Sequence, residues 1–123
     1  MPGGIMKNIL IVDDEEEIRS LYQSELGGEG FSTHTVNSGE EALQFIDSNP
    51  AIDLVILDIK MGLLDGLQVL EQLRTRRSDL RVILNSAYST YKNNFTSWLA
   101  DAYLVKSPNL SELKNSVREL LTR

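Results

Sequence analysis

Apolar residues along this chain follow two periods. The short runs ILIV (9–12), LVIL (54–57), VIL (82–84) and YLV (103–105) are rich in branched side chains and predict central strands of a parallel sheet, because strands covered on both faces are apolar without alternation. STHTV (32–36) is more polar and alternates, which predicts an edge strand. Between these runs the period lengthens to that of a helix. Ile18, Leu21, Tyr22 and Leu26 share a face, as do Ala42, Leu43, Phe45 and Ile46, then Leu67, Leu70 and Leu73, and last Leu110, Leu113, Val117, Leu120 and Leu121. Gly27-Gly28 ends the first of these helices, Ser38 with Glu41 forms a capping box for the second, and Asp65-Gly66 opens the third. The resulting βαβαβαβαβα order predicts an α/β domain, one parallel sheet with helices on both faces.

One predicted helix stands apart. The segment 88–100, YSTYKNNFTSWLA, carries an apolar stripe at Tyr91, Phe95, Trp98 and Leu99, but its other positions are mostly Ser, Thr and Asn. These are mediocre helix formers, so its helicity must lean on packing of the stripe. It is expected to open at lower free energy than the other helices.

Composition narrows the class. With 123 residues the chain is long enough for a single domain with a real core, 6–121, and has no room for a second; residues 1–5 read as a flexible or cloning-derived N-terminus. There is no cysteine, which removes disulfide frameworks and thiolate metal sites. No apolar run is long enough to span a bilayer and the opening residues carry no leader signature, so a cytoplasmic location is expected. A net charge of −6 argues against a nucleic-acid backbone as the ligand and directs attention to proteins and cations.

The acidic residues are not spread evenly. In an open parallel sheet, ligands bind at the carboxyl ends of the strands. Asp13-Asp14 follows the first strand, Asp58 the third, Ser86-Ala87 the fourth and Lys106 the fifth. Like charges ~4 Å apart at an effective dielectric of ~20 cost about 4 kcal/mol per pair. A hard divalent cation compensates such a cluster, with Mg²⁺ the usual choice beside a phosphate, and Lys106 can pair with a phosphoryl oxygen.

From Met6 to about Leu121 the chain resembles a CheY-like response-regulator receiver domain, the phosphoacceptor module of two-component signalling. The resemblance rests on VDD ending strand one, LDIKM..LDG around Asp58, Ser86-Ala87, Tyr103, and Lys106 after strand five. It implies a doubly wound, flavodoxin-like (βα)5 fold with strand order 2-1-3-4-5. By resemblance, Asp58 is the phosphoacceptor, receiving its phosphoryl group from a histidine kinase or phosphotransfer protein. Asp13, Asp14, Asp58 and the Lys60 backbone carbonyl hold Mg²⁺, with Mn²⁺ as a substitute. Ser86 and Lys106 contact the phosphoryl group, and Ser86 and Tyr103 form the switch that reaches helix four, strand five and helix five. Lys60, Ala87 and Tyr88 occupy positions that modulate the site, with Tyr88 placed to hinder attacking water. The implied partners are the kinase and a downstream protein target or fused output domain, with a phosphorylation-dependent dimer as one form; neither nucleic acid nor membrane is an implied partner.

The chain departs from the family pattern at two places. Gly62 stands where proline commonly follows the methionine, which predicts a less constrained loop. Lys106-Ser107-Pro108 replaces the common Lys-Pro, so the peptide after Lys106 is expected to be either trans with a rearranged loop or a strained cis bond. Rival readings are a docking pseudo-receiver, an aspartyl-phosphate phosphohydrolase and a flavin-binding module. The second lacks an Asp two residues after Asp58, where Lys60 stands, and in the third DDEEE would repel a phosphate. GGEG (27–30) reads as a helix C-cap, His34 as a surface residue and Trp98 as a core or partner-facing aromatic.

Overall fold

A computed structural model describes residues 6–122; residues 1–5, expected to be a flexible or cloning-derived N-terminus, lie outside the described residues. Five strands, β1 (Asn8–Val12), β2 (Ser32–Val36), β3 (Leu54–Leu57), β4 (Arg81–Ser86) and β5 (Ala102–Val105), form one sheet in the order β2-β1-β3-β4-β5, every pair parallel. Helices α1 (Glu16–Gly28), α2 (Gly39–Ser48), α3 (Gly66–Arg76) and α4 (Ser111–Leu121) cover it. Strand order reverses between β1 and β3, which places the carboxyl ends of both at the crevice where such sheets bind ligands.

The side chains of each central strand divide between two cores because successive residues point to opposite faces. Leu10, Val12, Val55, Leu57, Val82 and Leu84 pack against α2 and α3 residues such as Ala42, Ile46, Val69, Leu70 and Leu73. Ile9, Ile11, Leu54, Ile56 and Ile83 pack against Tyr22 and Leu26 of α1 and Leu113, Val117 and Leu120 of α4. The unbroken apolar runs thus reflect helices on both faces. The polar STHTV strand lies at the edge, half-buried throughout.

Local signals act largely as expected. Asp65 and Gln68 form a reciprocal capping box at α3. At α2, Ser38 caps the Glu41 N–H, while the Glu41 carboxylate returns to the N–H of Asn37, one residue upstream of the expected partner. Leu21 departs from its predicted face, with 43% of its surface exposed on α1.

The fourth helix is the main correction. Residues 90–99 form two short 3₁₀ turns, Thr90–Asn93 and Phe95–Leu99, separated by Asn94 in extended conformation. Local side-chain bonds stand in for the helix ladder. Asn94 accepts from the Thr96 N–H, Ser97 donates its hydroxyl to the Tyr91 carbonyl, and the Trp98 indole donates to the Lys92 carbonyl. Ser and Asn side chains that bond nearby backbone compete with helix formation. The expected packing of the stripe holds only at Tyr91, which rests on the core; Phe95 and Trp98 are 78% and 66% exposed and stack edge-to-face on each other at 4.9 Å.

No cis peptide occurs among the described residues, so Lys106-Ser107 follows the trans alternative. The loop after it is shaped by short caps, Ser107 accepting from Asn109 and Asn109 from Ser111.

Candidate functional site

Backbone bonds at the sheet edge fix the acidic groups. Asp13 leaves β1 with its N–H on the Val36 carbonyl, its side chain accepting from the Glu15 N–H at 2.9 Å and its carbonyl gripped by Arg19 at 2.8 Å. Asp58 leaves β3 with its N–H on the Val12 carbonyl, and one carboxylate oxygen accepts from the Ile59 N–H at 2.9 Å. Each of Asp13, Asp14 and Asp58 offers an oxygen within 4.8 Å of the others. Asp13 and Asp58 are buried and Asp14 is exposed, so the cluster opens to solvent on one side. Lys106 reaches back from β5, its Nζ lying 2.8 Å from Asp13, 3.5 Å from Asp58 and 3.8 Å from Glu15.

Three close carboxylates and one ammonium leave a net negative pocket. Burial, reinforced by the Asp13 charge, pushes the Asp58 carboxyl up to about 6, against the opposing pull of Lys106 and the Ile59 N–H. For Lys106, burial alone would lower the ammonium, but its bond to Asp13 and the charges of Asp58, Asp13 and Glu15 hold it above the usual lysine range. An all-oxygen donor set of this charge, open on one side, fits a hard divalent cation that keeps some of its water.

Around this cluster stand the other predicted residues. Ser86 is fully buried at the end of β4; its hydroxyl oxygen accepts from the Tyr88 N–H at 3.1 Å, and its carbonyl accepts from the Lys106 N–H at 2.7 Å. Tyr103 donates its hydroxyl to the Tyr88 carbonyl at 2.6 Å, tying β5 to the segment after β4, and the Lys92 ammonium lies 6.0 Å from its ring centre. Burial raises the Tyr103 phenol above its ordinary value. Ala87, Tyr88 and Lys60 are exposed, with Tyr88 edge-on to Tyr91. His34 is half-buried beside Phe45 and belongs to none of the acidic groupings among the described residues.

Some participants were not singled out from sequence. Glu15 was legible only as part of the DDEEE run, yet it lies at the rim of the lysine. Arg19, six residues beyond Asp13, orients its backbone, and no spacing rule announces that. Gly66 was read as a helix opening only; a Cβ there would lie 2.1 Å from the Asp58 carbonyl oxygen, so glycine lets α3 begin directly against the acidic residue's backbone. Gly62 adopts φ +62, a left-handed conformation that proline cannot reach.

A doubly wound sheet of order 2-1-3-4-5, carrying a buried aspartate, an acidic cation-receptive cluster and a lysine at its carboxyl edge, defines a CheY-like α/β domain. The chain belongs to the response regulator receiver domain family, matching the family's sequence model over residues 9–118. It is 48% identical to the response regulator TrrA of Thermotoga maritima, whose crystal structure in complex with Mg²⁺-BeF superposes with a TM-score of 0.91, covering 94% of this chain and 99% of that one. TrrA bound to the histidine kinase ThkA superposes at 0.89, with the same identity and the same coverage. Among curated relatives, response regulator MprA from Mycobacterium sp. (strain KMS) is 37% identical over 94% of this chain and 50% of its own length. Regulatory protein AtoC from Escherichia coli is 34% identical over 94% of this chain and 25% of its own. The chain thus spans half or less of the length of these curated relatives.

Proposed function

We infer that Asp58 accepts a phosphoryl group from the phosphohistidine of a histidine kinase or phosphotransfer protein, and that the chain acts as a single receiver domain over 6–121. The observation that carries this reading is the buried Asp58 carboxylate, within 4.8 Å of two further carboxylates and 3.5 Å from an ammonium. An Asp58 oxygen attacks phosphorus, the P–N bond breaks, and the electron pair leaves with the imidazole. Water later attacks the same phosphorus and releases phosphate, with the Asp58 carboxylate regenerated. Positioning and charge stabilisation do most of the work in such a transfer.

Asp13, Asp14, Asp58 and the Lys60 carbonyl would hold Mg²⁺ or Mn²⁺, which supplies charge neutralisation for the phosphoryl oxygens. Lys106 pairs with one phosphoryl oxygen. The Ser86 hydroxyl, which accepts from the Tyr88 N–H and is in hydrogen-bonding contact with the Tyr103 phenol, would turn its proton to another. That adjustment is passed through Tyr88 to Tyr103 and to the face formed by the 3₁₀ turns, β5 and α4, where a protein target or fused output domain is read and a phosphorylated dimer can form. TrrA's association with ThkA and with Mg²⁺-BeF supports these assignments. A cytoplasmic setting accords with them, and no helix among the described residues is long and apolar enough to cross a membrane.

Incubation with acetyl phosphate and Mg²⁺, read by intact mass, tests the assignment. Wild type gains one phosphoryl group and Asp58→Ala gains none; failure of the wild type would leave a docking pseudo-receiver. Exposed Tyr88 covers the approach of water to the adduct, so Tyr88→Ala shortens its life several-fold, and an unchanged decay removes that role.

A further inference from the structure

We propose that Tyr22 and Asn85 form a buried strut that holds the Lys106 ammonium between Asp13 and Asp58, which makes both positioning residues for the transfer; this deepens, and rests on, the reading of Asp58 given above. The Asn85 amide donates to the Tyr22 hydroxyl at 2.7 Å, and both residues are 3% exposed. They sit on the α1/α4 side of the sheet, in a layer otherwise built from Ile9, Ile11, Ile56 and Ile83. An amide buried there gains little net stability over a leucine of similar size, because its hydrogen bond mainly replaces one to water. A geometric role accounts for its presence better than an energetic one.

The two ends of the strut meet the elements that aim the lysine. Asn85 precedes Ser86, whose carbonyl accepts the Lys106 N–H, and it lies opposite Leu104 in the β4–β5 register. Tyr22 belongs to α1, the helix that follows Asp13 and is bound to its carbonyl through Arg19. The Tyr22–Asn85 bond therefore braces, from the α1 side, the spacing that the sheet sets between the lysine's backbone anchor and its carboxylate partner. The lysine stem is largely buried but not packed on every side. It borders a hollow of about 270 Å³ shared with Ile18, Leu21, Tyr22 and Pro108. Beyond Tyr22 lies a second cavity of about 220 Å³, lined in part by Asn85, Leu104 and Ser107. Tyr22 and Ser107 line both spaces, so a Tyr22 ring released from its tether gives the lysine room to swing away.

Two variants separate positioning from plain stability. Tyr22→Phe leaves the Asn85 amide buried and unpaired, whereas Tyr22→Phe/Asn85→Leu removes both polar groups and restores an apolar layer. The double variant is expected to recover the wild-type urea midpoint yet to take phosphate from acetyl phosphate about tenfold more slowly, as a misaimed charge does. In the metal-free, unphosphorylated protein, the nitrogen-15 resonance of the Lys106 ammonium is expected to lose its protection from solvent exchange. A double variant with the wild-type rate and a wild-type ammonium signal overturns the strut. Tyr22→Phe alone, which removes one oxygen and no carbon, supplies the same two readouts if the double variant does not fold. Absence of an adduct on the wild type would strike the phosphoacceptor role only, because the ammonium signal is read without phosphate and still decides the strut.

Discussion

Lys106 bonds Asp13 at 2.8 Å across the carboxyl edge of the sheet, from the end of β5 to the end of β1. The bond is shielded, the lysine side chain being 14% and the aspartate 3% exposed. Replacing Lys106 with Met leaves Asp13 and Asp58 buried with no cation between them. Breaking a buried pair on one side costs about 3 kcal/mol or more. Urea unfolding in EDTA at pH 7 is expected to show a loss of that order, partly recovered by millimolar Mg²⁺. An unchanged midpoint would mean that solvent already screens the pair.

Asp58 makes stability fall as pH rises. Its folded value of about 6 lies above the ordinary 3.8, so the native state binds more proton than the unfolded chain between the two. The favourable contribution is complete below about pH 4 and is lost as pH climbs through about 6, a total of about 3 kcal/mol. Asp58→Asn, which does not titrate, should therefore gain stability relative to wild type by a similar amount between pH 4 and pH 7 in EDTA. Mg²⁺ favours the carboxylate and should flatten the difference. A pH-independent gap would place the Asp58 carboxyl at its ordinary value.

The loop after Asp58 tests a backbone argument. Gly62 at φ +62 tolerates alanine at about 1 kcal/mol, while proline, fixed near −65°, costs more than that or rebuilds the loop. Thermal unfolding of Gly62→Ala and Gly62→Pro should rank them in that order. Restoring the proline common in the family would then harm this chain, and a neutral Gly62→Pro would show that the loop easily adopts a second conformation.

The 3₁₀ segment should exchange its amides faster than α4, since its bonds are few and its aromatic side chains exposed. Removing the cap with Asn94→Ala costs about 1 kcal/mol locally and should speed exchange at Thr96 about fivefold. Hydrogen exchange read by NMR checks both points. Protection equal to that of Ser111–Leu121 would contradict them.

The sheet and most helix faces were legible in the residues because periodicity reports which face is covered. The strand-end acids, Ser86 and Lys106 were legible because the fold brings every strand's carboxyl end to one edge. Segment 90–99 was not, since an apolar stripe at helical spacing does not reveal whether anything covers it, and Asn94 and Ser97 offer the backbone other partners. Gly62 was read as freedom and proved to be a requirement of sign in φ, which spacing does not encode. Tyr22 and Asn85 meet across the fold, and Arg19 bonds a backbone carbonyl six residues upstream; neither contact leaves a pattern in the residues.

Helix α3 begins where only a glycine lets it touch the Asp58 backbone, and Arg74 in its final turns clasps the Leu99 and Leu80 carbonyls and the Asp101 carboxylate. It is a rod with one foot on the acidic loop and a hand on the exit of the 3₁₀ turns. A displacement of the Asp58 backbone would therefore be carried along α3 to the start of β5, on the opposite side of the sheet from Tyr22 and Asn85.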